Sequence, residues 1–205
     1  HPPKPASWSK KDYDFAHKGT ASSNLASGQK NIARTVDAYM DDSDKSNIDR
    51  VGHRRWCINP RMGKTGFGYE GRMSAMWSFD SSGKAPKMDF VSYPARGYMP
   101  ISYFSSSHAW SISPLKTRLN SKMKPQINIY PLDEVDHTKG TPLEISYVNV
   151  ETGGYGSGAC LIFLPKNAQV KDGVGYWVEI SLDGSKKRPS IDFEFLVHFV
   201  DLQKK

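Results

Sequence analysis

The stretch that decides the fold of the first half of the chain is GHRRWCINPRMGKTGFGY, from Gly52 to Tyr69. A glycine directly precedes His53, so the backbone can turn tightly there and present the imidazole at a surface. An apolar run, an Asn-Pro pair and a Gly-x-Gly strand follow the two arginines. The pattern predicts a histidine presented between a tight turn and a strand.

The segment upstream of this stretch has helical periodicity. Between Gln29 and Asp41 its apolar residues recur every three or four positions, as on one face of a helix. Ser27 is expected to cap the start of that helix. We predict that three residues of the apolar face pack on a sheet containing Thr65–Tyr69. They are Ile32, Val36 and Met40. Further strands are predicted at Ser74–Phe79 and Lys87–Tyr93.

Beyond the breaker-rich segment Pro94–Pro100 the helical periodicity disappears. The clearest strand is Ile191–Val200, in which large apolar residues alternate with Asp192, Glu194 and other residues. A series of such strands, separated by Gly, Pro and Lys turns, predicts an antiparallel β-sandwich. The other strands are predicted at Ala109–Ser113, Gln126–Tyr130, Leu143–Val150, Ala159–Leu164 and Tyr176–Leu182. We therefore divide the chain into residues 1–97 and a β-module at 98–205.

The charge and hydropathy of the chain bear on whether it binds nucleic acid, another polyanion or a membrane. The 205 residues carry a net charge of +7, which would suit a polyanion. The basic residues are dispersed and no nucleic-acid motif is present, so we do not expect nucleic acid as a partner. A cell-wall polymer suits the charge better. Without a run of about 18 apolar residues, no transmembrane segment is predicted.

Several other polar residues receive a structural interpretation. Arg54 and Arg55 are expected to pair with nearby aspartates. Cys57 and Cys160 lie in apolar runs and are predicted to be small buried residues; a disulfide between them stays open as an alternative. The histidines outside the quoted stretch lack partner spacing and are predicted to be structural or exposed. They are His17, His108, His137 and His198.

Residues 1–97 resemble the CAP superfamily (cysteine-rich secretory proteins, antigen 5 and pathogenesis-related 1) in its bacterial secreted form. The resemblance rests on GHRRW, on ASSNLASG (Ala21–Gly28) and on VDAYMDDSD (Val36–Asp44). It implies an α+β fold, with an α-β-α sandwich that lacks its first helix, followed by the β-sandwich module. The module at 98–205 has no recognised family motif.

The resemblance also implies a cleft. HPPKP places His1 at the first cleft histidine, and GHRRW places His53 at the second. Ser23 stands where the family often has a glutamate, and Asp42 falls at its second acidic position. With two imidazoles and one carboxylate, the cleft could hold a divalent metal such as zinc, with His1 and His53 as ligands.

Two functions follow as expectations from the resemblance. The first is a non-catalytic binding protein that is extracellular or attached to the cell wall, with a cell-wall polymer or a lipid as its ligand. The second is a protease-like hydrolase that uses His53, Asp42 and Ser23. Hydrolysis needs a closed chain of nucleophile, base and orienting group, whereas a binding module needs an open cleft.

Overall fold

In a computed structural model, residues 3–84, 87–182 and 191–204 are described. Within these ranges the chain forms three α-helices and eleven β-strands. The helices are α1 (Lys10–Ala21), α2 (Ile32–Asp41) and α3 (Gly52–Cys57). The strands are β1 (Ser23–Ser27), β2 (Gly66–Glu70), β3 (Met73–Trp77), β4 (Phe90–Tyr93), β5 (Gly97–Pro100), β6 (Trp110–Pro114), β7 (Pro125–Pro131), β8 (Ile145–Tyr155), β9 (Gly158–Pro165), β10 (Gly175–Leu182) and β11 (Ile191–Val200).

The larger part of the molecule is a β-sandwich of two four-stranded sheets. Their strand orders are β4-β6-β9-β8 and β5-β11-β10-β7. One hydrophobic cluster contains buried residues of both sheets. Trp110 of the first sheet meets Tyr176 and Phe199 of the second edge to face. The pairing is antiparallel except between β5 and β11, which run parallel.

Strand β11 confirms the predicted alternation. Phe193, Phe195, Val197 and Phe199 are buried, whereas the intervening Asp192 and Glu194 face outward. Because successive side chains of a strand point to opposite faces, this pattern places the four apolar residues in the core between the sheets. Burial of each such side chain contributes about 1.5–3 kcal/mol, so β11 anchors the sandwich.

The smaller part is a three-stranded antiparallel sheet, ordered β1-β3-β2. Helix α2 packs on one face of it, where the Thr35 hydroxyl donates to Ser74 Oγ and the Tyr39 hydroxyl donates to the Asn24 carbonyl oxygen. Helix α3 then joins this part to the sandwich, because Arg54 donates to the Ala109 carbonyl oxygen. The two parts therefore meet at α3.

The expected fold class was wrong. Strands hold 39% of the residues and helices 16%, and three sheets take the place of a CAP-like α-β-α sandwich. The described chain also has a helix, α1, ahead of its first strand. The physical reason is that the sandwich extends into the segment assigned to the first half. Strand β4 ends before residue 97 and β5 begins at it, and both pair with later strands of the sandwich. The division into residues 1–97 and 98–205 stays a prediction.

Helix α2 is where predicted, but its buried face differs. Thr35 and Tyr39 are the buried residues, and Asn31 caps the start through its side-chain oxygen. Ile32 is exposed and Met40 packs against the sandwich cluster. The hydroxyls of Thr35 and Tyr39 each find a hydrogen-bond partner on the small sheet, which lets polar atoms be buried there. The apolar spacing alone did not reveal that face.

Across the described residues, none of the helices has the length and apolar character needed to cross a membrane.

Candidate functional site

The site is built around a pair of side chains, Asp42 and His53. Helix α2 ends at Asp41, and Asp42 follows with a left-handed backbone, φ 46°. Aspartate tolerates this conformation better than most residues. The turn directs the carboxylate toward the start of α3, where His53 Nδ1 lies 2.9 Å from Asp42 Oδ1. The sequence resemblance had placed both residues in the cleft, and the structure brings them together.

Both oxygens of the Asp42 carboxylate are occupied. Oδ1 accepts from the His53 ring, and Oδ2 accepts from the backbone N–H of His53 at 2.9 Å and of Arg54 at 3.4 Å. The carboxylate thus caps α3 and orients the imidazole at once. Its side chain is only 2% exposed, so Asp42 acts on the cleft through His53 rather than by touching a ligand.

The pairing determines which ring nitrogen faces the cleft. A carboxylate is an acceptor, so the neutral ring donates from Nδ1 and keeps its lone pair on Nε2. Within the described ranges Nε2 has no hydrogen-bond partner, and the His53 side chain is 35% exposed. The Tyr39 ring stacks on the imidazole, with centroids 5.5 Å apart. His53 therefore presents a fixed, solvent-reachable lone pair.

Backbone strain accompanies the presentation of His53. Val51, immediately before α3, has φ 41° and is fully buried. A β-branched residue at positive φ is an outlier that persists only where its surroundings enforce it. Val51 packs in a small cluster with Ala109, Cys160 and Ile162 of the sandwich. The sandwich core thereby holds the turn that aims His53.

Two buried arginines brace the site from behind. Arg54 is 0% exposed and donates to the carbonyl oxygens of Met40, Asp41 and Ala109. Arg55 donates to the carbonyl oxygens of Arg50 and Gly153. Their partners are backbone carbonyls and, for Arg54, also the Ser43 and Ser111 hydroxyls, rather than the expected aspartate side chains. Burial lowers the pKa of both guanidinium groups, and these bonds lock α3 to α2 and to strand β8.

The cleft itself encloses about 310 Å³ in front of His53. Its walls include the Trp56 and Phe79 rings, stacked with centroids 4.0 Å apart, and the Tyr155 ring. Polar groups of Asn47 and Arg50 complete the lining. The cleft therefore combines exposed aromatic surface with a cation and an amide. Sequence analysis did not place Phe79 or Tyr155 here, since they come from distant segments that carry no motif.

The remaining predicted cleft residues differ in their positions. Ser23 lines the same cavity, but its hydroxyl donates to the Gly19 carbonyl oxygen at 2.7 Å. Its neighbour Asn24 makes the contact with α3, donating to the His53 carbonyl oxygen at 2.9 Å. His1 lies outside the described residues. The described cleft therefore contains base and orienting group without an aligned serine.

The fit to a divalent metal is poor. In residues 3–84, 87–182 and 191–204, no three His, Cys, Asp or Glu side chains gather as a metal-binding group. Zinc requires three or four protein ligands. Both oxygens of Asp42 accept hydrogen bonds from the start of α3 and from the His53 ring. Among the described cleft residues, His53 Nε2 is therefore the atom that remains available to a metal. We derive no metal chemistry from this site.

The cysteines are both thiols in the described structure. Cys160 is buried in the core, as predicted, and Cys57 is partly buried beside Asn24 and Met76. Burial raises the pKa of Cys57 to about 12. The thiolate is the reactive form of cysteine, and the raised pKa keeps Cys57 as the thiol at neutral pH.

Sequence reasoning missed a second histidine pair. His108 was predicted to be structural or exposed, yet its Nε2 atom lies 3.5 Å from Asp41 Oδ1. Asp41 directly precedes Asp42, so consecutive carboxylates at the end of α2 face two different histidines. No spacing in the sequence links His108 to α2, because the contact depends on how the sandwich packs on that helix.

Comparison of the chain with protein-family models, with curated proteins and with solved structures gives no match. The resemblance to the CAP superfamily rests on the quoted motifs alone.

Proposed function

We propose that the protein is a non-catalytic binding protein of the CAP superfamily that acts outside the cell or at the cell wall. In this proposal the cleft at His53 receives a cell-wall polymer. The sequence motifs GHRRW and ASSNLASG support the family and the location. The observation that carries the binding role is the oriented His53 Nε2 atom, which opens into a cleft walled by aromatic and polar side chains.

The lining of the cleft favours a sugar polymer over a lipid. Phe79 is 49% exposed and backed by Trp56, a rigid platform on which the apolar face of a sugar ring can pack. Asn47 and Arg50 also line the cleft. Their Nδ2 and Nη2 atoms donate within the protein, which leaves the Asn47 carbonyl oxygen, the other Arg50 nitrogens and His53 Nε2 for a ligand. At about 310 Å³ the cleft is open and small, which suits one or two units of a long polymer better than an acyl chain.

The Ser23 geometry separates binding from hydrolysis. His53 and Asp42 could serve as base and orienting group. The Ser23 hydroxyl donates to the Gly19 carbonyl oxygen instead of to His53, so no nucleophile is aligned. Hydrolysis is accordingly an outcome to be tested and not part of the proposal.

Sedimentation with bacterial peptidoglycan sacculi tests this function. We expect the protein to bind the sacculi, and Phe79→Ala and His53→Ala each to weaken binding at least about tenfold, the loss of one well-placed contact. Phe15→Ala is the matched control, because Phe15 is 82% exposed on α1. Binding should be unchanged in that variant.

Three outcomes would overturn the proposal. The first is the absence of binding by the wild type, and the second is full binding by both cleft variants. The third is binding to phospholipid vesicles in place of sacculi. Release of soluble fragments that depends on Ser23 and His53 would assign the cleft to hydrolysis.

A further inference from the structure

A second cavity, here called the α2 cavity, lies on the side of α2 that carries Asp37 and Asp41. It encloses about 670 Å³ between that helix and residues 101–108. This volume is within the range of small-molecule sites. Its apolar lining includes Met40, Tyr93 and Phe104, and the two aromatic residues are 4% exposed. The cavity thus has a well-packed apolar floor.

The charged residues that line the α2 cavity, Arg34, Asp37 and Asp41, carry one net negative charge. Asp37 and Asp41 lie one turn apart on α2, near its C-terminal end, where the helix dipole also favours a cation. Arg34 neutralises Asp37 at 3.3 Å. Within the described chain Asp41 has no lysine or arginine in ion-pair contact, and His108 is its partner at 3.5 Å. Asp41 is 49% exposed, so its carboxylate is available to a ligand.

His108 adds a hydrogen-bond acceptor. Its side chain is 14% exposed, and burial lowers its pKa, which favours the neutral ring. In the neutral tautomer that carries its proton on Nε2, toward the Asp41 carboxylate at 3.5 Å, the Nδ1 atom is the acceptor. Nδ1 is buried and has no partner in the part of the chain that the structure describes. A buried polar atom of this kind is costly, and the described protein groups leave this acceptor unsatisfied.

Arg34 lines the cavity but is paired with Asp37, and Arg54 is fully buried. The Arg54 guanidinium lies over the Tyr93 ring, 4.6 Å from its centroid, and donates to backbone carbonyls. At the mouth, Tyr103 is 61% exposed. Aromatic rings attract organic cations. An anionic ligand would meet the Asp41 carboxylate, which no lysine or arginine of the described chain pairs with. A purely apolar ligand would leave that charge without a partner.

We propose that the α2 cavity binds a primary amine carried on an apolar or aromatic arm. The ammonium group lies against Asp41 and His108, and the arm packs on Phe104 and Tyr93. Such a group occurs on the side chain of lysine and on other alkyl or aryl amines. The site is separate from the His53 cleft, since it uses Asp41 and not Asp42.

Three probes with one aromatic arm and different head groups test the proposal. Phenethylammonium should bind, whereas 2-phenylethanol and phenylacetate should bind at least about tenfold more weakly, because they lack the positive charge. Binding is measured by calorimetry and by NMR shifts of residues in the cavity. Equal affinity for the charged and neutral probes would overturn the proposal, and so would the absence of any binding by phenethylammonium.

Matched variants locate the site. Asp41→Asn keeps the shape of a half-exposed side chain and should lower the affinity for phenethylammonium at least about tenfold. His108→Phe keeps an aromatic ring between Tyr93 and Phe104 and should lower it less. Asp14→Asn, on α1 and 55% exposed, should leave it unchanged. Undiminished binding by Asp41→Asn would place the amine elsewhere and contradict the assignment.

Discussion

The two histidine–aspartate pairs at the end of α2 are opposite in their exposure. In the cleft the carboxylate of Asp42 is 2% exposed and the His53 side chain 35%. In the α2 cavity the imidazole of His108 is 14% exposed and the Asp41 side chain 49%. The accessible partner is the one that a ligand meets. The cleft therefore offers an oriented imidazole, whereas the cavity offers a negative charge.

The bonding of the two carboxylates explains the difference. Asp42 accepts two backbone N–H groups as well as the imidazole, so it is an integral part of the α3 start. Asp41 makes a single long contact with His108. Neighbouring residues of the same type thus have different roles: one builds the structure, and the other remains available at its surface. The predictions below test this contrast.

The largest effect is expected at Arg54, which braces both pairs. Arg54→Met keeps much of the volume but removes the donors to the carbonyl oxygens of Met40 and Asp41 on α2 and of Ala109 next to His108. Leaving these buried groups unpartnered should lower the free energy of unfolding by about 3–5 kcal/mol. Urea denaturation measures the loss. Arg118→Met, at an exposed arginine, should change stability by less than about 0.5 kcal/mol.

A smaller, contrasting effect is expected at the two aspartates. Asn at position 42 is compatible with the left-handed backbone. In Asp42→Asn, however, an NH2 group replaces one carboxylate oxygen and faces the N–H donors that this oxygen accepts from. We expect a loss of about 1–3 kcal/mol in the free energy of unfolding. Asp41→Asn should cost less than about 0.5 kcal/mol, since its side chain is half exposed. Equal losses in the two variants, measured by denaturation, would break the contrast between a structural and an available carboxylate.

The smallest effect is a pH dependence of stability at His108. Burial lowers its pKa below the ordinary histidine value of about 6.5, so the unfolded chain binds the proton more readily. The stability contribution is then complete above about pH 6.5 and is lost as the pH falls below that value. We expect the free energy of unfolding to fall less between pH 7 and pH 5 in His108→Phe than in the wild type. His137→Asn, at an exposed histidine with φ 58°, should retain the wild-type profile.

Local patterns predicted part of this structure well. Alternation along Ile191–Val200 located the central strand β11 and its buried face. The resemblance grouped His53 with Asp42, and the two side chains are in contact, with His53 Nδ1 2.9 Å from Asp42 Oδ1; their role as a binding site stays a prediction. These features depend on residues close in sequence or on a motif, which is why they could be inferred.

The features that were missed depend on tertiary packing. Strand β5, within the breaker-rich segment, is held by parallel pairing with β11, and the paired residues are 100 positions apart. The contact of His108 with Asp41 exists because the sandwich lies against α2. The aromatic walls of the cleft, Phe79 and Tyr155, likewise come from separate loops and strands. No periodicity in the sequence predicts such contacts between distant residues.

The ring nitrogens of His53 provide the most direct test of the account. Nitrogen-15 NMR at a pH where the imidazole is neutral reports which nitrogen carries the proton. We predict that the proton is on Nδ1, toward Asp42, and that the Nε2 signal shifts when soluble peptidoglycan fragments are added. Asp42→Asn should change the tautomer. A proton on Nε2 in the wild type, or an Nε2 signal indifferent to fragments that bind the protein, would contradict the claim that Asp42 orients His53 for ligand binding.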